Sequence, residues 1–227
     1  MHFSDLNWMQ VEEYLKNDDR LMLVIGSTEQ HAYLSLLTDT KIPLALAEAA
    51  GKETGVLIAP PVSYGCSPYF LAYPGTISLR VSTLLAVVED VVRSAYGQGF
   101  RRIFVLNGHG GNAAARVFLD ELANDMPELK VRWYAWWQTE TVGKIAEKHG
   151  LPLHHANWNE AFPFTRVGEL PDEVKPPVES TDRFNAERVR EVLGDGSFGG
   201  PYRVEEKIMD EIFAACLVDV LERIKFE

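Results

Sequence analysis

Cysteine is scarce in this chain: Cys66 and Cys216 are the two thiols among 227 residues. Neither belongs to a C-x-x-C pair, so a disulfide framework and a cysteine zinc knuckle are excluded, and both read as reduced thiols. Clustered positive charge is missing as well. With 22 basic against 33 acidic side chains the formal charge is −11, and no three basic residues stand in a row. Gripping a phosphate backbone or an anionic lipid surface takes clustered Lys and Arg, so the sequence predicts no nucleic-acid and no membrane partner. The stretch MHFSDLNWMQVEEYLK lacks the basic segment followed by an apolar one that marks a signal peptide. The uncharged stretch from Val56 to Leu79 holds Pro60, Pro61, Pro68 and Pro74, which a bilayer helix would not carry together. The expectation is a cytoplasmic protein. Repeats, low-complexity tracts and linkers are also absent, which predicts a single domain over residues 1–227.

What the chain does contain is alternation. Short apolar runs at Leu21–Ile25, Val56–Ala59, Ile103–Leu106 and Val131–Trp137 read as buried strands. Helical periods fall between them, at about 43–53, 82–97, 113–125 and 140–149, and again from Glu205 to Phe226. Strand–helix alternation with continuously apolar strands predicts an α/β fold with a mostly parallel sheet covered on both faces. The proline-rich segment 163–179 reads as a surface loop or an oligomer contact.

Three polar clusters fall near strand ends, where ligands gather in such sheets. The first is Gly26-Ser27-Thr28-Glu29-Gln30-His31 followed by Thr38-Asp39. Two carboxylates and an imidazole this close suit a divalent cation, although Glu29 as a turn residue and Asp39 as a helix cap explain the same residues. The second is Asn107-Gly108-His109-Gly110-Gly111-Asn112, between a strand and a helix. Its glycines let backbone approach an ion, and the loop fits neither G-x-x-x-x-G-K-[ST] nor G-x-G-x-x-G. The third, His154-His155-Ala156-Asn157-Trp158-Asn159-Glu160, could supply a ligand and a proton shuttle, or be a solvated loop.

GSTEQH…TD, NGHGGN and HA…E, in this order, resemble the creatininase family of metal-dependent amidohydrolases, and PGTISL resembles its substrate-side loop. The resemblance implies a three-layer α/β/α fold with a flavodoxin-like sheet, commonly assembled as a hexamer. It implies that Glu29, His31, Asp39, His109 and Glu160 are metal ligands, with Asp39 bridging two ions. His155 would be the proton shuttle, and Glu160 would also act in catalysis. Creatininase itself carries a glutamate at the position of Gly111; Glu160 would replace it here. Relatives usually read EQHGxHLPLxTD, whereas this chain has Ala32 for the glycine, Leu34 for a second histidine and one residue fewer. After the HA motif, Glu160 is followed by Ala161-Phe162 in place of the usual Thr-Ser.

The implied activity is hydrolysis of a C–N bond in a small cyclic amide, with one or two Zn²⁺, or Mn²⁺ or Fe²⁺, per subunit. Competing readings are ring opening of a cyclic ketone or sugar-derived substrate, and a non-catalytic member with a vestigial site. Trp158 and Tyr64, with Gly110 and Gly111, are expected to contact the substrate. Trp133, Trp136 and Trp137 are expected in the core.

Overall fold

Continuous apolar runs build the centre of the molecule, and a computed structural model describes the chain over residues 1–178 and 185–227. Strands β1 (Arg20–Ile25), β2 (Leu57–Ile58), β3 (Arg102–Asn107) and β4 (Lys130–Ala135) pair in the order β2-β1-β3-β4, all in parallel. Ile25 lies opposite Asn107, and Asn107 opposite Ala135, so three strands end level at one edge. A second, antiparallel pair joins β5 (Val174–Lys175) to β6 (Gly200–Pro201).

The helices are α1 (Trp8–Leu15), α2 (Thr38–Thr54), α3 (Val81–Gln98), α4 (Ala113–Asp125), α5 (Glu140–Lys148), α6 (Ala186–Leu193) and α7 (Glu206–Arg223). Alternate strand residues face opposite layers. Met22, Val24, Phe104 and Leu106 pack against α2, α5 and α7. Leu21, Leu23, Ile25, Ile103 and Val105 pack against α3 and α4, with α1 at the margin. This is the expected α/β/α arrangement. Among the described residues no helix is long and apolar enough to cross a membrane.

Several boundaries differ from the sequence expectation. The second strand shrinks to Leu57–Ile58, because Pro60 and Pro61 end the pairing. The helix expected from residue 43 starts at Thr38, so Asp39 lies in its first turn and is not the cap. Pro43 sits inside α2, where it removes the N–H that would bond the Asp39 carbonyl. That carbonyl is pressed against Gly108, where an added Cβ would lie 1.8 Å from it. Helices α1 and α6 escaped the periodicity reading because each is eight residues long; α1 starts at an Asn7/Gln10 capping box and buries no residue. The 163–179 segment is tied to the body through β5; residue 179 lies outside the described residues.

Candidate metal centre

Chain order places the site. From β1 the chain crosses over α2 to β2 on one side, then returns over α3 to β3 on the other side of β1. The crevice beyond the carboxyl ends of β1 and β3 is therefore the switch point where α/β sheets bind ligands. Glu29 and His31 follow β1, His109 follows β3, Asp39 opens α2, and Glu160 ends the short 3-10 turn Trp158–Glu160. All five are buried.

Asp39 is the hub. Its Oδ1 lies 3.0 Å from His31 Nε2, and its Oδ2 lies 3.0 Å from His109 Nδ1. Glu29 Oε1 stands 3.5 Å from His109 Nδ1, and Glu160 Oε1 stands 4.0 Å from His31 Nε2. Backbone carbonyls aim both rings: His31 Nδ1–H donates to the Glu29 carbonyl at 3.2 Å, and His109 Nε2–H donates to the Cys66 carbonyl at 2.9 Å. Each ring thus turns its other nitrogen toward Asp39.

Glu29 Oε2, His31 Nε2 and Asp39 Oδ2 are buried without a hydrogen-bond partner. Unpartnered polar atoms in a protein interior are costly, by about 1–3 kcal/mol each. His31 Nε2 is close to a carboxylate oxygen yet not aligned to share a proton with it. Atoms about 3 Å apart that point at a common centre suit a cation with ligand distances of about 2.0–2.2 Å. Among the described residues three overlapping groups bring their donor atoms within 4.8 Å of one another: Glu29–Asp39–His109, His31–Asp39–Glu160 and Glu29–His31–His155. The donor set fits one or two divalent ions, with one Asp39 oxygen in each of the first two groups.

The electrostatics fit the same use. Burial works against charging His31, but the Asp39 carboxylate, joined by Glu160 and Glu29, outweighs it and pushes the ring up to about 10. His109 is pushed up to about 11 because Asp39 and Glu29 outweigh its burial in the same way. Burial opposes ionisation of Asp39, yet His31 and His109 hold its carboxyl well below the usual range. Burial, then the Asp39 and Glu29 carboxylates, raise Glu160 to about 7. Burial and the neighbouring His31 charge drive His155 well below its ordinary value, so it is neutral.

A prediction about metal uptake follows from these signs. The raised values of His31 and His109 mean that both rings are charged at pH 7 without metal, whereas a ligand must be neutral. Zinc uptake should therefore release about two protons, and apparent affinity should rise with pH across the neutral range. Calorimetry in buffers of different ionisation enthalpy counts them; no net release would contradict this charge state.

The glycine loop is shaped by close approach. A Cβ on Gly111 would lie 2.0 Å from the Cys66 carbonyl oxygen and 2.5 Å from His109 Nε2. No side chain fits there, so a glutamate at this position is incompatible with the loop. Gly111→Ala is expected to destabilise the protein by about 1–3 kcal/mol through overpacking, read as a lowered urea midpoint at constant slope. Gly110 has open space and lines the cavity. Asn112 stands at the N-cap of α4 without a side-chain capping bond; its side chain instead ties Gly26, Asn107 and Cys66 together.

Above these side chains opens a cavity of about 570 Å³, within the usual range for small-molecule sites. Tyr69, Phe70 and Phe198 line it, with Trp137 and Leu153 also in its wall. Two expected contacts are corrected here. Trp158 is fully buried in the core, donating Nε1–H to the Pro152 carbonyl at 2.6 Å, because its 3-10 turn sends Trp158 inward. Tyr64 is 48% exposed and lies outside the cavity. Conversely Trp137, expected in the core, forms cavity wall, while Trp136 is buried. Phe198 carried no sequence signal beyond its place among glycines, and Phe70 had none.

A family model described as Creatininase, creatinine amidohydrolase, matches residues 4–224. The 3-dehydro-scyllo-inosose hydrolase of Thermotoga maritima is 28% identical over 140 residues, 59% of this chain and 45% of that protein. The mycofactocin precursor peptide peptidase of Mycolicibacterium smegmatis is 39% identical over 102 residues, 42% of this chain and 41% of that one. Creatinine amidohydrolase of Pseudomonas putida is 31% identical over 117 residues, 48% of this chain and 45% of that one. The matched stretches thus span less than half the length of these relatives. Among solved structures, a creatinine amidohydrolase (creatininase) superposes with a TM-score of 0.85 at 20% identity, over 98% of this chain and 96% of that one. A structure described as creatininase Mn gives 0.84 at 19% identity, over 99% and 97%. A mutant creatininase of Zn-Zn type gives 0.79 at 20% identity, over 99% and 96%. At such identities these structures establish the fold.

Proposed function

The chain belongs to the creatininase family, and on that premise we propose that it is a metal-dependent hydrolase cleaving the C–N bond of a small cyclic amide. The observation that carries this reading is the Asp39 carboxylate spread between His31 and His109, 3.0 Å from each, on the floor of an aromatic-walled cavity. Glu29, Asp39 and His109 would hold one divalent ion, and His31, Asp39 and Glu160 a second. Such ions supply Lewis acidity, polarising the scissile carbonyl and lowering the pKa of water from 15.7 to about 7.

The chain's own residues handle the proton and the substrate. Glu160 is the loosest member of its group, its Oε1 4.0 Å from His31 Nε2, and we assign it to take the proton that attacking water sheds. Water oxygen bonds the carbonyl carbon, the C–N bond breaks, and the proton on Glu160 passes to the departing nitrogen. His155, neutral and facing the cavity through Nδ1, offers a hydrogen bond at that nitrogen. Tyr69, Phe70 and Phe198 would hold a planar ring over the ligands.

Ring opening of a cyclic ketone is the second reading, favoured by the 59% of the chain that aligns with the inosose hydrolase. A panel of lactams, cyclic ureas, creatinine and cyclic ketones, assayed with and without chelator, tests both. Turnover of amides abolished by chelator and restored by Zn²⁺ or Mn²⁺ supports the first; turnover of ketones alone replaces it with the second. Homo-oligomer assembly in the cytoplasm belongs to the same proposal. Exposed Tyr33, Leu36, Leu37 and Phe164 are the apolar surface an interface would cover, and sedimentation velocity reads the assembly.

A further inference from the structure

Gln30 stands between two ligands in sequence, yet its amide is occupied elsewhere. Oε1 accepts the Ala32 N–H at 3.0 Å, and Nε2 donates to the Gly196 carbonyl at 3.1 Å. These two bonds fix the amide end for end, since a flip would set N–H against N–H and carbonyl against carbonyl. The backbone is bent to make them. Ala32 adopts φ 48°, in the left-handed region, and Gly196 at φ 100° comes so close that a Cβ would lie 1.8 Å from Gln30 Oε1.

The second Nε2 hydrogen of Gln30 is directed at His155 Nε2, 2.9 Å away. If that ring nitrogen carried a hydrogen, two donors would face each other. The Gln30 main-chain carbonyl, 3.2 Å from the same nitrogen, would require Nε2–H, whereas the shorter amide contact requires a bare Nε2; on the shorter contact we assign Nε2 as the bare nitrogen of the neutral imidazole and the proton to Nδ1. Nδ1 is the nitrogen on the metal side, 3.9 Å from Glu29 Oε1. The ring is held in place by Phe70, stacked at 4.6 Å and 13°, and by Phe198 at 5.3 Å.

We propose that Gln30 is a positioning residue that fixes His155 in its Nδ1–H tautomer, keeping the ring out of the metal shell and its proton turned to the cavity. The choice matters because Glu29, His31 and His155 form a group that could itself hold an ion. A protonated Nδ1 cannot ligate, so the amide of Gln30 decides whether His155 is a ligand or a donor. The Gln30 main-chain carbonyl, 3.2 Å from His155 Nε2, is the competing partner. With the side-chain amide gone, it would accept Nε2–H and release the Nδ1 lone pair to a metal. The catalytic consequence rests on the hydrolase reading; the tautomer does not.

Gln30→Leu separates these partners, since it removes the amide and leaves the carbonyl. Long-range ¹H–¹⁵N correlation on the zinc-loaded protein should show His155 protonated at Nδ1 in the wild type and at Nε2 in Q30L. With Co²⁺ in place of zinc, the visible spectrum of Q30L should shift and should return to the wild-type form when His155→Ala is added. Turnover of whichever amide the wild type hydrolyses should fall by about 10-fold or more, the scale of one lost donor geometry. An Nε2–H tautomer in the wild type, or the same tautomer in both proteins, would overturn the proposal. The wild-type spectrum alone decides it if Q30L does not fold. A zinc-loaded wild type with the Nδ1–H tautomer but no amide turnover would instead remove the hydrolase reading and leave the assignment of Gln30 intact.

Discussion

Asp39→Asn is expected to empty the metal centre and abolish metal-dependent turnover. The carboxylate is the one group that reaches both histidines, with one oxygen 3.0 Å from each ring. An asparagine of the same shape offers one neutral oxygen and sets a donor N–H₂ against the other ring, so it serves neither ion well. Loss of an outer partner of a ligand typically costs about 10–100-fold in metal affinity, and loss of a bridging ligand should cost more at both positions. The fold should persist in the variant, because His31 and His109 lose the carboxylate that keeps them charged and can shed their protons. Metal analysis should find less than about a tenth of the wild-type content, with far-ultraviolet circular dichroism unchanged. Wild-type metal content in Asp39→Asn would remove Asp39 as the hub.

His155→Ala should behave in the opposite way, retaining metal and losing rate. Toward the proposed ligands the ring places Nδ1 3.9 Å from Glu29 Oε1 and packs on the His31 ring at 4.5 Å, and it is otherwise engaged with Gln30, Phe70 and Phe198. Removing one preorganised donor at a reacting centre typically costs about 10²–10³-fold in kcat. Zinc content should stay at the wild-type level, KM should change little, and added imidazole should restore part of the rate. A fall in metal content parallel to the fall in rate would mean that His155 is a ligand, which would also contradict the role given to Gln30.

Much of this site is legible in the sequence because chemistry limits which residues can build it. Glu29, His31, Asp39, His109 and Glu160 carry hard or borderline donor atoms, three of them just past apolar strands, and the fold brings all five side chains together. The continuous apolar strands likewise fixed the layers, since Leu21 to Ile25 can be buried on both faces only in a covered sheet. The substrate walls were not legible. Phe70, Trp137 and Phe198 come from three distant segments, and each alone looks like ordinary loop or core packing. Trp158 shows the converse error: it neighbours Glu160 in sequence, but a 3-10 turn sends one side chain into the core and the other to the ligands. The start of α2 was misplaced for a similar reason. Pro43 looked like a helix start, yet α2 runs from Thr38 through Pro43, with the Asp39 carbonyl close against Gly108.

Metal stoichiometry of the purified wild-type chain, by mass spectrometry after exhaustive dialysis and then after addition of Zn²⁺ or Mn²⁺, tests the centre of this reading most directly. Two ions shared through Asp39 predict about two equivalents per chain, removed by chelator and restored together with amide turnover. Less than about half an equivalent, unrestored by either ion, would contradict a metal centre built on Glu29, His31, Asp39, His109 and Glu160.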